Sequence, residues 1–200
     1  MAAVARLRGR ESVMHRRHAR PERSPPMHRR DFLQLDVFAD RPGAGNPLAV
    51  VLDARDLDTA AMQAFANWTN LSETIFLMPP TEAGASYRVR IFTPRQELPF
   101  AGHPSVGAAH AVLEAGLAEA RGGRLLQECG AGLLPVGIVG EGASRTITVR
   151  APRGRPCTPP GREAALAVAL PAERGALPPA LIDNGPRWWV VELADEATVR

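Results

Sequence analysis

Residues 70–80 read NLSETIFLMPP, and residues 87–114 read YRVRIFTPRQELPFAGHPSVGAAHAVLE. The run Glu73 to Met78 is apolar after its first two positions and is stopped by Pro79-Pro80, which reads as a buried strand. Tyr87 to Phe92 alternates apolar and charged side chains, the pattern of a second strand. Thr93 to His103 reads as an irregular loop. Pro104 then opens a helix at its first position, where a missing N–H costs nothing. That helix runs to about Ala115 and stops at Gly116. Its small residues, Gly107, Ala108, Ala109 and Ala111, allow close approach to a sheet.

Upstream, Phe32 to Phe38 and Pro47 to Leu52 read as strands around a turn cluster, Asp40 to Asn46. A helix is expected from Asp58-Thr59 to Asn70, with Asp or Thr as its cap. Downstream, short strands are expected at Leu125 to Glu128, Leu133 to Val139 and Thr146 to Arg150. A Pro-rich stretch (151–161), a short helix (Glu163 to Ala169) and a strand (Trp188 to Leu193) follow. The chain therefore reads as α+β in three parts: an Arg-rich, disordered leader (1–30), a β-rich first domain (31–120) and a second unit (121–200).

Composition narrows the function classes. Hydrophobic residues make up 45% of the 200, enough to fill a core. There is no apolar run of membrane-spanning length. All 24 basic residues are arginine, and nine of them lie in the first thirty residues against two glutamates. The net charge of +3 thus belongs to the leader, and the remainder is mildly acidic. A basic leader can touch nucleic acid or a membrane surface. Here it lacks interleaved aromatics and lies outside the folded part, so no nucleic-acid or membrane partner is expected. The absence of an apolar leader core points to a cytoplasmic protein, with Met27 a plausible start. Cys129 and Cys157 fit no metal or redox spacing and read as reduced thiols.

Three polar residues stand out. Glu73 sits where a helix hands over to a strand. A carboxylate there can cap the helix end, or it can face a cleft and act as acid or base. His103, at a helix mouth, can transfer a proton beside free backbone N–H groups, or simply cap the helix. Asn46, in Gly43-Ala44-Gly45-Asn46-Pro47, can hydrogen-bond a ligand; that turn lacks the lysine and following helix of a phosphate loop. His110, seven residues after His103, lacks the four-residue spacing of a metal pair, and no metal site is expected.

The segments LDVFADRPGAGNPLAVVLDA (35–54), NLSETIFLMPP and YRVRIFTPRQELPFAGHPSVGAAHAVLE together resemble the N-terminal half of the PhzF family, the phenazine-biosynthesis-like isomerases. The resemblance is clear over about 33–115 and fainter at Asn184-Gly185-Pro186-Arg187-Trp188. It implies the diaminopimelate-epimerase-like fold, two similar halves that each wrap a mixed barrel-like sheet around a central helix. It also implies a cofactor-independent isomerase acting on a small carboxylate-bearing metabolite, with Glu73 as acid/base and His103 assisting. Asn46, Gly102, Pro104 and Ser105 would bind substrate, and a homodimer is possible. Ala101 stands where a cysteine-based epimerase of related fold has its first cysteine, which argues against thiol racemisation. The second half's Asp-Pro-x-Thr-Gly-Ser-like motif is not found. The second half is therefore expected to be incomplete and catalysis impaired, the alternative being a non-catalytic, ligand-binding half-domain.

Overall fold

The computed structural model describes residues 29–158 and 177–197. The leader, apart from Arg29 and Arg30, and the helix expected at Glu163 to Ala169 lie outside the described residues. The first strands are β1 (Phe32–Val37) and β2 (Asn46–Val51), followed by helix α1 (Thr59–Thr69). Strands β3 (Glu73–Met78), β4 (Tyr87–Phe92) and β5 (Glu97–Leu98) lead into helix α2 (Gly102–Glu114). Then come β6 (Arg124–Cys129), β7 (Gly132–Val139) and β8 (Thr146–Val149). A separate sheet holds β9 (Arg155–Cys157), β10 (Ala180–Asp183) and β11 (Arg187–Val190).

The first sheet runs β1-β2-β3-β4-β6-β7-β8, with β5 paired to β4. It is mixed. β2 pairs with β3 in parallel, with Leu48 opposite Glu73, and β4 pairs with β6 in parallel, with Tyr87 opposite Gln127. A parallel pair needs a crossover, and the two helices supply one each. Asp58 caps α1 by accepting from the Ala61 N–H at 2.7 Å. Asn70 ends α1 in the left-handed region (φ 53), which its short polar side chain tolerates. That turn delivers the chain straight into β3 at Glu73.

Because β3 is covered on both faces, its apolar run is continuous. Ile75 and Leu77 face the inner cluster with Leu48, Val50, Val89, Ile91 and the alanines of α2. Phe76 faces the outer cluster under α1, with Met62, Ala66 and Phe92. The Phe76 and Phe92 rings meet edge to face, 5.4 Å between centroids. Helix α2 is the central helix, and its small residues let it sit close to the sheet. A Cβ on Gly107 would collide with Leu48 Cδ2 and come within 3.2 Å of Val37 Cγ2.

The structure departs from the sequence reading in three places. The loop expected from Thr93 to His103 contains β5, paired through Ile91 and Leu98. Helix α2 begins at Gly102, two residues earlier than expected, with Ala101 as its cap. Pro104 still lies in the first turn, where its missing N–H has no intrahelical acceptor to lose. Finally, the sheet does not end near residue 120. Strands β6, β7 and β8 extend it to Val149, because Leu125 and Val136 are needed to cover the alanine face of α2. The separate sheet starts only at β9. No helix among the described residues is long and apolar enough to cross a membrane.

Gly107→Ala is expected to lower unfolding free energy by about 1–3 kcal/mol through overpacking against Leu48. Gly102→Ala, whose added Cβ has nothing within 4 Å, should change it by only about 0.5 kcal/mol or less. Urea titrations of the two variants check the contrast.

Candidate active site

The parallel register sets up the site. Glu73 is the first residue of β3, beside Leu48 of β2, and Asn46 lies two residues before Leu48. His103 is the second residue of α2, whose start lies over the same end of the sheet. The carboxylate Oε2 of Glu73 stands 3.3 Å from Nε2 of His103, with side-chain exposures of 14% and 10% respectively. Both atoms are buried, and the alignment between them is too poor for a hydrogen bond. They lie side by side without a hydrogen bond between them.

The other ring nitrogen is engaged. Asn46 Nδ2 lies 3.1 Å from His103 Nδ1, and Ser72 Oγ donates to Asn46 Oδ1 at 3.0 Å. With the Asn46 carbonyl accepting from Ser72, its amide donates to Nδ1, which assigns the ring proton to Nε2 on the Glu73 side. Burial pushes the His103 pKa below the ordinary 6.5, and the opposing pull of the Glu73 charge is the smaller effect. At neutral pH His103 is therefore a neutral Nε2–H donor next to a carboxylate.

Four expected residues thus converge or adjoin: Asn46, Glu73, Gly102 and His103. Gly102 is exposed, in the first turn of α2, where backbone N–H groups have no intrahelical acceptor. The other two expected ligands are turned inward. Pro104 is buried and has no N–H to offer. Ser105 has 0% exposure, and its hydroxyl donates to Ala101 O at 2.8 Å and accepts from Gln127 Nε2 at 3.0 Å. A helix turns a new face every residue, so Pro104 and Ser105, directly after His103, lie on the core side.

Sequence reasoning gave no role to Ser72, which orients Asn46. Its only signal was adjacency to Glu73, and the cross-strand partner is set by a register that cannot be read from the chain. Of the second sheet it placed only β11, expected at Trp188 to Leu193 and found at Arg187–Val190, and it missed β9 and β10. Gly185, in the β10–β11 turn, packs so tightly that a Cβ would meet Phe100 Cβ at 3.1 Å. The turn flanks the strand-to-helix segment that leads to Gly102. Among the described residues, no group of three or more His, Cys, Asp or Glu side chains gathers as a metal site.

The sequence profile of phenazine biosynthesis-like proteins (PhzC-PhzF) matches residues 35–200. The chain belongs to this family. A curated relative, the Schizosaccharomyces pombe protein named antisense-enhancing sequence 1, is 41% identical over 86% of this chain and 60% of its own length. The trans-2,3-dihydro-3-hydroxyanthranilate isomerase of Pseudomonas fluorescens is 38% identical over 78% of this chain and 55% of its own length. Among solved structures, a predicted epimerase of Pseudomonas aeruginosa is 34% identical over 85% of this chain and 61% of its own, with a TM-score of 0.68. A hydroxyproline epimerase and a probable proline racemase, each 13% identical, share the fold alone. The fold is accordingly the α+β, diaminopimelate-epimerase-like one. The chain spans roughly three fifths of the length of these family members.

The lowered His103 pKa has a stability consequence. The unfolded chain takes up the imidazole proton near 6.5, before the folded chain does. This contribution is therefore fully present above about 6.5 and is lost as pH falls through the folded value. His103→Gln should lose less stability than the parent between pH 7.5 and pH 5.5, as read by urea melts at the two values.

Proposed function

We propose that this site belongs to a proton-transferring isomerase of small, carboxylate-bearing metabolites, with Glu73 as acid/base and His103 assisting. The observation that carries the reading is the pair itself: a partly buried carboxylate oxygen and an imidazole N–H, 3.3 Å apart, both without a hydrogen-bond partner, at a helix mouth. Membership of a family that includes relatives named isomerase supports it.

The step uses only groups of this chain. The Glu73 carboxylate takes a proton from a substrate carbon: the C–H bond breaks, an O–H bond forms on Glu73, and the electron pair moves into the substrate's conjugated system. The neutral His103 N–H and the first backbone N–H groups of α2 face the charge that develops. Glu73 then returns the proton to a different carbon of the same skeleton, so the product is an isomer and nothing is consumed. Asn46, held by Ser72, keeps the imidazole in the tautomer that donates toward the substrate. A neutral donor suits this task, because an imidazolium beside Glu73 would hold the carboxylate in an ion pair and weaken it as a base.

The test is solvent-proton incorporation. With trans-2,3-dihydro-3-hydroxyanthranilate in D2O, deuterium should enter at carbon in the presence of the protein, as followed by NMR. Glu73→Gln should lower the rate by about 10²–10⁴-fold, both here and at the matching residue of a full-length family member. Unchanged turnover in the full-length Gln variant would remove Glu73 from the mechanism.

A further inference from the structure

Behind the site lies a chain of buried polar groups that the reaction scheme does not use. Tyr87 on β4, Gln127 on β6 and Ser105 on α2 are all 2% exposed or less. The Tyr87 hydroxyl donates to Gln127 Oε1 at 3.1 Å. Gln127 Nε2 donates to Ser105 Oγ at 3.0 Å, and Ser105 Oγ donates to the Ala101 carbonyl at 2.8 Å. The Ser105 backbone N–H reaches the same carbonyl at 3.2 Å. Burying three polar side chains in an apolar core is unfavourable unless each is satisfied, and here each is.

The chain has a direction. Burial raises the Tyr87 pKa far above its usual value, with the nearby Cys129 adding to it, so the phenol stays protonated and donates. That donation fixes which end of the Gln127 amide faces Ser105. Because Gln127 donates to the serine oxygen, the single Ser105 hydroxyl proton goes to Ala101 O. In a planar trans peptide the C=O and the next N–H point in opposite directions. Holding the Ala101 carbonyl inward therefore aims the Gly102 N–H outward. Gly102 is exposed, with nothing within 4 Å of where its Cβ would lie. His103, nine-tenths buried with Nε2 unpartnered, is the next residue.

We infer that Tyr87, Gln127 and Ser105 are positioning residues: a buried relay that holds and polarises the Ala101–Gly102 peptide, so that the Gly102 N–H and the His103 ring are presented together at the mouth of α2. This deepens the acid/base reading and rests on it for its purpose. The relay itself is read without turnover. Hydrogen bonds in series strengthen one another, so each donor up the chain makes the Gly102 N–H a better donor. A core that merely needed filling would be served by Phe, Leu and Ala at these positions.

The experiment is NMR on the 200-residue chain, comparing the parent with Tyr87→Phe, Gln127→Leu, Ser105→Ala and Ser105→Thr. It reads the Gly102 amide shift and the pH midpoint of the His103 ring. Glu73 is the ionisable group facing that ring from β3, while Asn46 from β2 is uncharged, and both are kept in every variant. Ser105→Ala and Gln127→Leu should move the Gly102 amide proton upfield. They should also raise the His103 midpoint by about 0.5 pH unit, as the helix mouth loosens and the ring regains water. Tyr87→Phe, cutting the outermost bond, should do the same to a smaller extent. Ser105→Thr, which keeps the hydroxyl, should restore both signals.

If Gln127→Leu does not fold, the two single-oxygen deletions, Tyr87→Phe and Ser105→Ala, decide the matter. Cooperatively melting variants with parental Gly102 and His103 signals would overturn the relay and reduce it to core packing. Deuterium exchange left unchanged by Glu73→Gln, with the NMR signals behaving as expected, would instead count against the acid/base reading alone.

Discussion

Everything at the site depends on how closely α2 approaches β2. The contact point is Gly107, where even a methyl group would run into Leu48. Gly107 lies one turn after His103 on the helix, and Leu48 lies opposite Glu73 in the parallel register. The separation of helix and strand at the glycine is therefore the separation of imidazole and carboxylate at the site. The alanines around Gly107 keep the whole helix at that height, and the outer strands complete the enclosure. The geometry of the Glu73–His103 pair and the packing of the core are here one constraint rather than two.

Electrostatics follow from the same closeness. A helix seated this deeply brings His103 out of water, and desolvation outweighs the pull of Glu73, so the ring stays neutral. The Asn46 amide then settles which nitrogen holds the proton. Polar groups fall into an outer and an inner set. Ser72 and Asn46 sit at the exposed rim and orient the ring from outside, while Tyr87, Gln127 and Ser105 hold the backbone from within. Between them, Glu73 Oε2 and His103 Nε2 have no hydrogen-bond partner.

Much of this was legible in the chain. The strands at Glu73–Met78 and Tyr87–Phe92 carry unambiguous patterns, one a doubly buried run and the other a clean alternation, and both lie where the patterns put them. Glu73, His103 and Asn46 were singled out from residue type at element boundaries and from the family motifs, and the fold brings the three together. What the sequence hid was lateral order. Nothing in Leu125 to Glu128 announces that this strand joins β4 in parallel instead of opening a new unit, because pairing across a crossover leaves no local trace. The same blindness sent Ser105 toward the ligand. Gly102 in the same motif is exposed, and only the helical phase, fixed by a start at Gly102, shows that Ser105 faces in.

The order of strands also bears on how the chain is made. Glu73, His103 and Asn46 all precede residue 104, yet the sheet that encloses α2 is complete only at Val149. Synthesis at roughly 5–20 residues per second leaves about 2–7 s between the emergence of Glu114 and that of Val149. In that interval the nascent helix has the strands of one side and waits for those of the other. A flank built of alanine and glycine presents little oily surface while it waits. The small side chains that let α2 pack so closely in the finished fold thus also make it a poor target for premature association on the ribosome.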